Sequence, residues 1–297
     1  APDERHLHQR PVPRLGGMAV TVAFFVPLLV LFGLESVVAR LFYAEPLRIV
    51  GLGIGGFVIC ILGAADDIRG VRAYQKLLVQ MAAAVLVYFC GFRIPGMNIP
   101  FIGTLEMGVF ALPVTVLWVV GVINAMNLID GLDGLAAGIG FFACAVNLVV
   151  GYLTGSPLVV LLSAALGGGI LGFLVYNFNP ATIFLGDSGS VFLGFVLAST
   201  SLMATTVKSS TAVAILLPVI ALGVPIMDTL LAMARRFVER RPIFAPDRSH
   251  IHHRLLELGI NHRRAVLILY GVSILFAAGA IALAIGRSWE VGAALVG

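Results

Sequence analysis

GLAAGIGFFACAVNLVVGYLTGSPLVVLLSAALGGGILGFLVYNFNPATIFLG, residues Gly134–Gly186, runs for 53 residues without one Asp, Glu, Lys or Arg. A helix needs about 20 apolar residues to cross the hydrocarbon layer, so this interval is too long for one span and long enough for two. Thr154-Gly155-Ser156-Pro157 divides it, because glycine and proline so close together end one helix and open the next. Outward from this pair, Leu15–Leu34, Ile49–Ala65, Leu77–Phe92, Met107–Ile129, Ser188–Val207, Ser209–Met227 and Ala265–Gly286 are also free of charge. The pattern predicts an all-α polytopic membrane protein with about nine transmembrane helices. Helices are expected because no barrel-like alternation is present and lipid offers the backbone no other partners.

Composition agrees. Of 297 residues, 60% are hydrophobic and 11% charged, and the mean hydropathy is +1.04. Such a chain is neither disordered nor a disulfide scaffold, and a net charge of +4 on so few ionic residues argues against a nucleic-acid binder. Cys60, Cys90 and Cys144 each fall inside an apolar run and are expected to behave as small hydrophobes. The segment Arg93–Glu106, rich in Pro, Gly and Ile, is expected to form a short hairpin.

Orientation follows from the basic residues. One set of alternate loops holds 14 of the 19 Lys and Arg, among them Arg14, Arg69, Arg72, Lys76, Arg235, Arg236, Arg254 and Arg264. The other set holds Arg40, Arg48, Arg93, Lys208 and Arg287. Positive residues favour the cytoplasmic side, so the first set is expected there. The chain opens at Ala1 in a polar stretch resembling an internal loop, which suggests a trimmed protein whose full form has ten or eleven spans.

All six histidines and most carboxylates lie in the loops of the arginine-rich face. A transporter would place such groups near the bilayer midplane, whereas these border the spans at one interface. Asp66-Asp67 ends the second span, and neighbouring carboxylates repel unless a cation or proton sits between them; the plain alternative is a solvated helix end. In Asn124-Ala-Met-Asn127-Leu-Ile-Asp130-Gly-Leu-Asp133-Gly134, steps of three put Asn124, Asn127 and Asp130 near one helical face. Four oxygen-bearing groups suit a hard cation or a nucleotide, while helix capping accounts for one or two of them.

Asp187 opens a helix after Gly186 and reads either as an N-cap or as a third acid for the same site, and Phe184 as a membrane-interface aromatic or a platform for a base. Asn177 begins the same loop. In Asp247-Arg-Ser-His250-Ile-His252-His253-Arg254 the absence of any nearby thiol disfavours zinc, and cationic donors to a diphosphate fit better. A positive-inside anchor explains the arginines of that loop but not three imidazoles in four positions. Asp228, close after Pro225, reads as a residue behind the site or as the end of an apolar stretch. Gly51-Leu-Gly53-Ile-Gly55-Gly56 and Gly167-Gly168-Gly169 lie inside apolar spans and are read as helix-packing glycine.

Pro2-Asp3-Glu4-Arg5-His6 to Pro11-Val-Pro-Arg-Leu-Gly-Gly17, Asp66-Asp67, Asn124 to Leu135, Phe184-Leu-Gly-Asp-Ser-Gly189 and His250-Ile-His-His-Arg-Leu255 together resemble the polyprenyl-phosphate N-acetylhexosamine-1-phosphate transferases. The resemblance spans nearly the whole chain, as a single integral-membrane domain over residues 1–297. It implies transfer of a sugar 1-phosphate from a UDP-sugar to a polyprenyl phosphate in the bilayer of a bacterial inner membrane, on the cytoplasmic face. Mg2+ is the implied cofactor, with Mn2+ as the alternative. Carried over by motif, Asp187 and Asn127 hold the metal, and Asp66 and Asp67 position or deprotonate the lipid phosphate. Asp130 and Asp133, with Asn124 and Asn177, line the nucleotide pocket, and Phe184 stacks on uracil. His250, His252, His253 and Arg254 engage the diphosphate or sugar.

Within the family, the UDP-GlcNAc:undecaprenyl-phosphate branch is the better match. The UDP-MurNAc-pentapeptide branch has Gly-Thr-Pro-Thr-Met-Gly-Gly where this chain has Pro11-Val-Pro-Arg-Leu-Gly-Gly17, and three consecutive histidines where this chain has His250-Ile251-His252-His253. That branch, a cation-coupled transporter and a non-catalytic lipid-binding scaffold stand as the alternatives. A homodimer is one option the sequence leaves open.

Overall fold

The computed structural model describes residues 12–94, 96–99, 103–205, 217, 219–240 and 250–296. The chain runs α1 (Gly16–Val30), α2 (Val37–Tyr43), α3 (Pro46–Arg69), α4 (Ala73–Phe89), a hairpin of β1 (Gly96–Ile99) and β2 (Gly103–Glu106), α5 (Ala111–Ile129), α6 (Leu135–Leu153), α7 (Pro157–Asn177), α8 (Gly186–Thr205), α9 (Gly223–Val238), α10 (Ile251–Glu257) and α11 (His262–Val296). The protein is a polytopic helical membrane protein. Among the described residues six stretches, against the nine expected of the whole chain, are long and apolar enough to cross a bilayer: 16–33, 46–69, 108–129, 135–153, 157–177 and 262–285.

The expected division of Gly134–Gly186 holds. α6 ends at Leu153, and α7 starts on Pro157, whose missing N–H is harmless in a first turn. The expected hairpin forms, antiparallel, with Gly96 opposite Glu106 and Ile99 opposite Gly103. The expected span Leu77–Phe92 overlaps α4, a shorter apolar helix that ends at Phe89, and of the expected span Ser209–Met227 residues 209–216 and 218 lie outside the described residues.

α8 is the axis of the bundle. Every residue from Ser188 to Met203 is buried, and α1, α3, α5, α6 and α7 all pack on it. Such a helix, rich in apolar and small residues, has no solvent face to present and is surrounded by others. The close approaches use glycine, as between membrane helices generally. A Cβ on Gly63 of α3 would stand 2.5 Å from the Ser188 Cα, and one on Gly17 of α1 would stand 1.9 Å from the Gly189 nitrogen. Gly51 and Gly55 pack on Cys90 and Phe195, and Gly169 on Ala23, as expected of packing glycine, whereas a Cβ on Gly53 or Gly168 would meet open space. The three cysteines are free and buried.

Candidate active site

The helices alternate in direction, so the ends of α3, α5 and α7 and the starts of α1, α4, α6, α8 and α11 meet at one end of the bundle. The chain crossing there is short and tightly tied. Phe184 donates its N–H to the Pro13 carbonyl, while Gly16 and Gly17 donate theirs to the Phe184 and Leu185 carbonyls, at 2.8–3.0 Å. Gly186 follows with φ +71°, and a side chain there would strike the Arg14 carbonyl.

This strap delivers the start of α8 to the end of α3. Asp67 accepts the Asp187 N–H at 2.8 Å on one oxygen and the Ser188 N–H at 2.9 Å on the other. The N-terminal amides of a helix need outside partners, so a carboxylate from α3 caps α8. Asp187 itself does not serve as the cap. Its side chain accepts from Asn127 Nδ2 at 3.0 Å and pairs with Lys76 at 3.0 Å, and Asn127 also donates to Ser190 at 2.9 Å. Lys76 also pairs with Asp66, whose other oxygen accepts the Val71 N–H at 2.6 Å. Asp66, Asp67, Asn127 and Asp187 thus form one network, through Lys76 and Ser190. Neither of these two stands out in the sequence, although Lys76 and Gln80 are polar one turn apart on a mostly apolar helix.

α5 ends at Ile129, and Asp130 is its C-cap residue. Burial, and then the charges of Asp187, Asp67 and Asp133, push the Asp130 carboxyl up to about 8. Such crowding of acids is relieved by a cation. Asn124 faces away, donating to Gln80 Oε1 on α4 at 2.7 Å. Asp133 and Asn177 shape the loop between α7 and α8: Asp133 accepts from Asn179 Nδ2 and the Ala181 N–H, both at 3.1 Å. Asn177 accepts the Gly134 N–H at 3.1 Å and donates to the Ile183 carbonyl at 2.9 Å. Phe184 is half-buried beside this loop.

The histidines arrive from the other side. His252 is buried with its ring 5.8 Å from His250 and 4.2 Å from His253, and it abuts Gly131, where a Cβ would stand 2.3 Å from Nε2. Burial, and then His253, lower the His252 pKa to about 4. His262, at the start of α11, accepts the Asp133 N–H at 2.8 Å. Arg254 is exposed. Residues 1–11 and 241–249, with the first motif's Pro2–Pro11 and the segment Asp247–Ser249, lie outside the described residues.

Residues 49–205 match the model of glycosyl transferase family 4. The chain belongs to that family. It is 40% identical over 289 residues to a probable undecaprenyl-phosphate N-acetylglucosaminyl 1-phosphate transferase of Bacillus subtilis, covering 97% of this chain and 78% of that one. It is 37% identical over 290 residues to a decaprenyl-phosphate N-acetylglucosaminephosphotransferase of Mycolicibacterium smegmatis, covering 91% and 71%. A phospho-N-acetylmuramoyl-pentapeptide-transferase of Halalkalibacterium halodurans is 33% identical over 287 residues, covering 94% and 85%.

Proposed function

We propose that this family member acts as one integral-membrane domain of a bacterial inner membrane and transfers N-acetylglucosamine 1-phosphate from UDP-GlcNAc to undecaprenyl phosphate, releasing UMP. The observation that carries the reading is the convergence of Asp66, Asp67, Lys76, Asn127, Asp130 and Asp187 at one end of a membrane bundle, where a polar donor and a lipid acceptor can meet. Higher identity to the N-acetylglucosamine relatives than to the muramoyl-pentapeptide relative supports the donor. Among the described residues, Arg14, Arg69, Arg72, Lys76, Arg263 and Arg264 border the same end, which supports a site facing the cytoplasm.

The acidic cluster fits Mg2+, a hard ion that takes few carboxylates and keeps room for phosphate oxygens. Among the described residues no three His, Cys, Asp or Glu side chains form a ready metal cage. Asp187 and Asn127 are the proposed ligands. When bound, the ion would neutralise charge on the diphosphate. The chain's own groups do the rest by positioning, which is most of what phosphoryl transfer requires. Asp67 fixes the start of α8 and hence Asp187. Asp66 and Lys76, at the end of α3 and the start of α4, meet the acceptor phosphate, which is already mostly ionised at neutral pH because its second pKa is about 6. Asp130 and the loop shaped by Asp133 and Asn177 line the nucleotide side, Phe184 stacks on uracil, and the His250–Arg254 segment engages the diphosphate.

Purified protein given UDP-GlcNAc, undecaprenyl phosphate and Mg2+ is expected to release UMP and form a lipid-linked sugar, with UDP-MurNAc-pentapeptide a far poorer donor. Solute uptake into proteoliposomes without UMP release would replace this reading with a transporter.

A further inference from the structure

The histidine helix α10 is held by a carboxylate from another element. Asp228 in α9 is buried, and its oxygens are used separately: Oδ2 lies 2.9 Å from His250 Nδ1, and Oδ1 accepts the Ile251 N–H at 2.8 Å. An ionised carboxylate can only accept, so the Nδ1 facing it carries the proton and Nε2 is the atom left for other partners. The His250 ring is nearly parallel to that of His252, with a 4° angle between planes, and His252 packs on Gly131. A line of buried contacts therefore runs from Asp228 through His250 and His252 to the turn between Asp130 and Asp133.

We propose that Asp228 is a positioning residue for the transfer reaction, fixing the His250 tautomer and docking the His250–Arg254 segment on the Gly131 turn. The inference rests on the reading that this segment engages the donor diphosphate. The Coulomb partner matters as well as the shape: an amide at 228 presents one acceptor and one donor, so it cannot reproduce two separate accepted hydrogen bonds. Burial of the pair makes the mismatch costly, because no water replaces the lost partner.

The tautomer is read directly from histidine nitrogen resonances of the full chain in lipid nanodiscs, with the His250 signal assigned through a His250→Gln variant. Wild type is expected to carry the proton on Nδ1 and Asp228→Asn to lose that signature; an Nε2–H tautomer in wild type would overturn the proposal. Kinetically, Asp228→Asn should lower kcat by about ten-fold or more and lower the thermal midpoint as well, leaving KM for undecaprenyl phosphate nearly unchanged. In a His250→Gln background the same change should alter kcat by less than about two-fold, since its effect passes through the missing ring. Equal losses in both backgrounds would also overturn it. Absence of UMP from wild type would sink the transferase reading, and the nitrogen spectrum would still decide whether Asp228 sets the tautomer.

Discussion

The two clusters of ionisable groups at the polar end of the bundle are built in opposite ways. Around Asp187 the carboxylates are partly open and share a cation: the side chains of Asp66, Lys76 and Asp187 are 11%, 27% and 33% exposed. Around Asp228 the partners are sealed, with Asp228 and His250 side chains 3% and 5% exposed. An open charge exchanges partners at small cost because water and salt compensate, whereas a sealed one is left unsatisfied when its partner goes. The first arrangement suits groups that must take and release a metal and two phosphates. The second suits a bracket.

Four experiments would break or sharpen this contrast. The largest effect is expected at the open cluster: Asp187→Asn should cut UMP release about a thousand-fold, equivalent to about 4 kcal/mol of barrier, and weaken Mg2+ dependence and nucleotide binding together. Its thermal midpoint in EDTA should hardly move. A large fall in the midpoint would mean that Asp187 belongs with the bracket.

The sealed cluster should instead show itself in stability against pH. His252 stays neutral in the folded protein down to about pH 4, while an unfolded histidine takes its proton near 6.5. The unfolded chain therefore binds more protons in that window. The stability is fully present above about pH 6.5 and is lost as pH falls towards 4, by about 3 kcal/mol from this group. Thermal melts of wild type and His252→Gln should converge at pH 4.5 relative to pH 7.5; parallel curves would remove His252 as the cause.

Asp67 is the sharpest test, because it stands in the open cluster but acts as a cap. Asp67→Ala should lower stability by about 1–2 kcal/mol as well as turnover. Loss of turnover with an unchanged midpoint would return it to the same class as Asp187. The smallest effect belongs to Asn124, which bonds to Gln80 and not to the cluster: Asn124→Leu should cost about 1 kcal/mol and leave Mg2+ dependence intact.

Much of this was legible in the sequence, because a chain with 11% charge advertises where its few ionic groups lie. The break at Thr154–Pro157, the packing role of the intramembrane glycines and the hairpin between α4 and α5 all rest on local chemistry, and each is found where it was expected. So is the gathering of Asp66, Asp67, Asn127, Asp130 and Asp187 at one face, since alternating spans bring alternate loops together.

The partnerships were not legible. Steps of three suggested that Asn124, Asn127 and Asp130 act together, but Asn124 bonds to Gln80 while Asn127 bonds to Asp187. Lys76 is one of 19 basic residues in the chain, and nothing local marks it as the cation shared by Asp66 and Asp187. Asp67 meets residues 120 and 121 positions away, and Asp228 meets His250 across 22. The sequence by itself determined the membrane class, the break between α6 and α7 and the end of the bundle at which polar groups gather, because hydropathy and charge act over a single helix length. Only the tertiary structure decided which carboxylate caps, which pairs and which stays open, because those roles depend on how closely glycine lets α1, α3 and α8 approach and on which groups that approach seals from water.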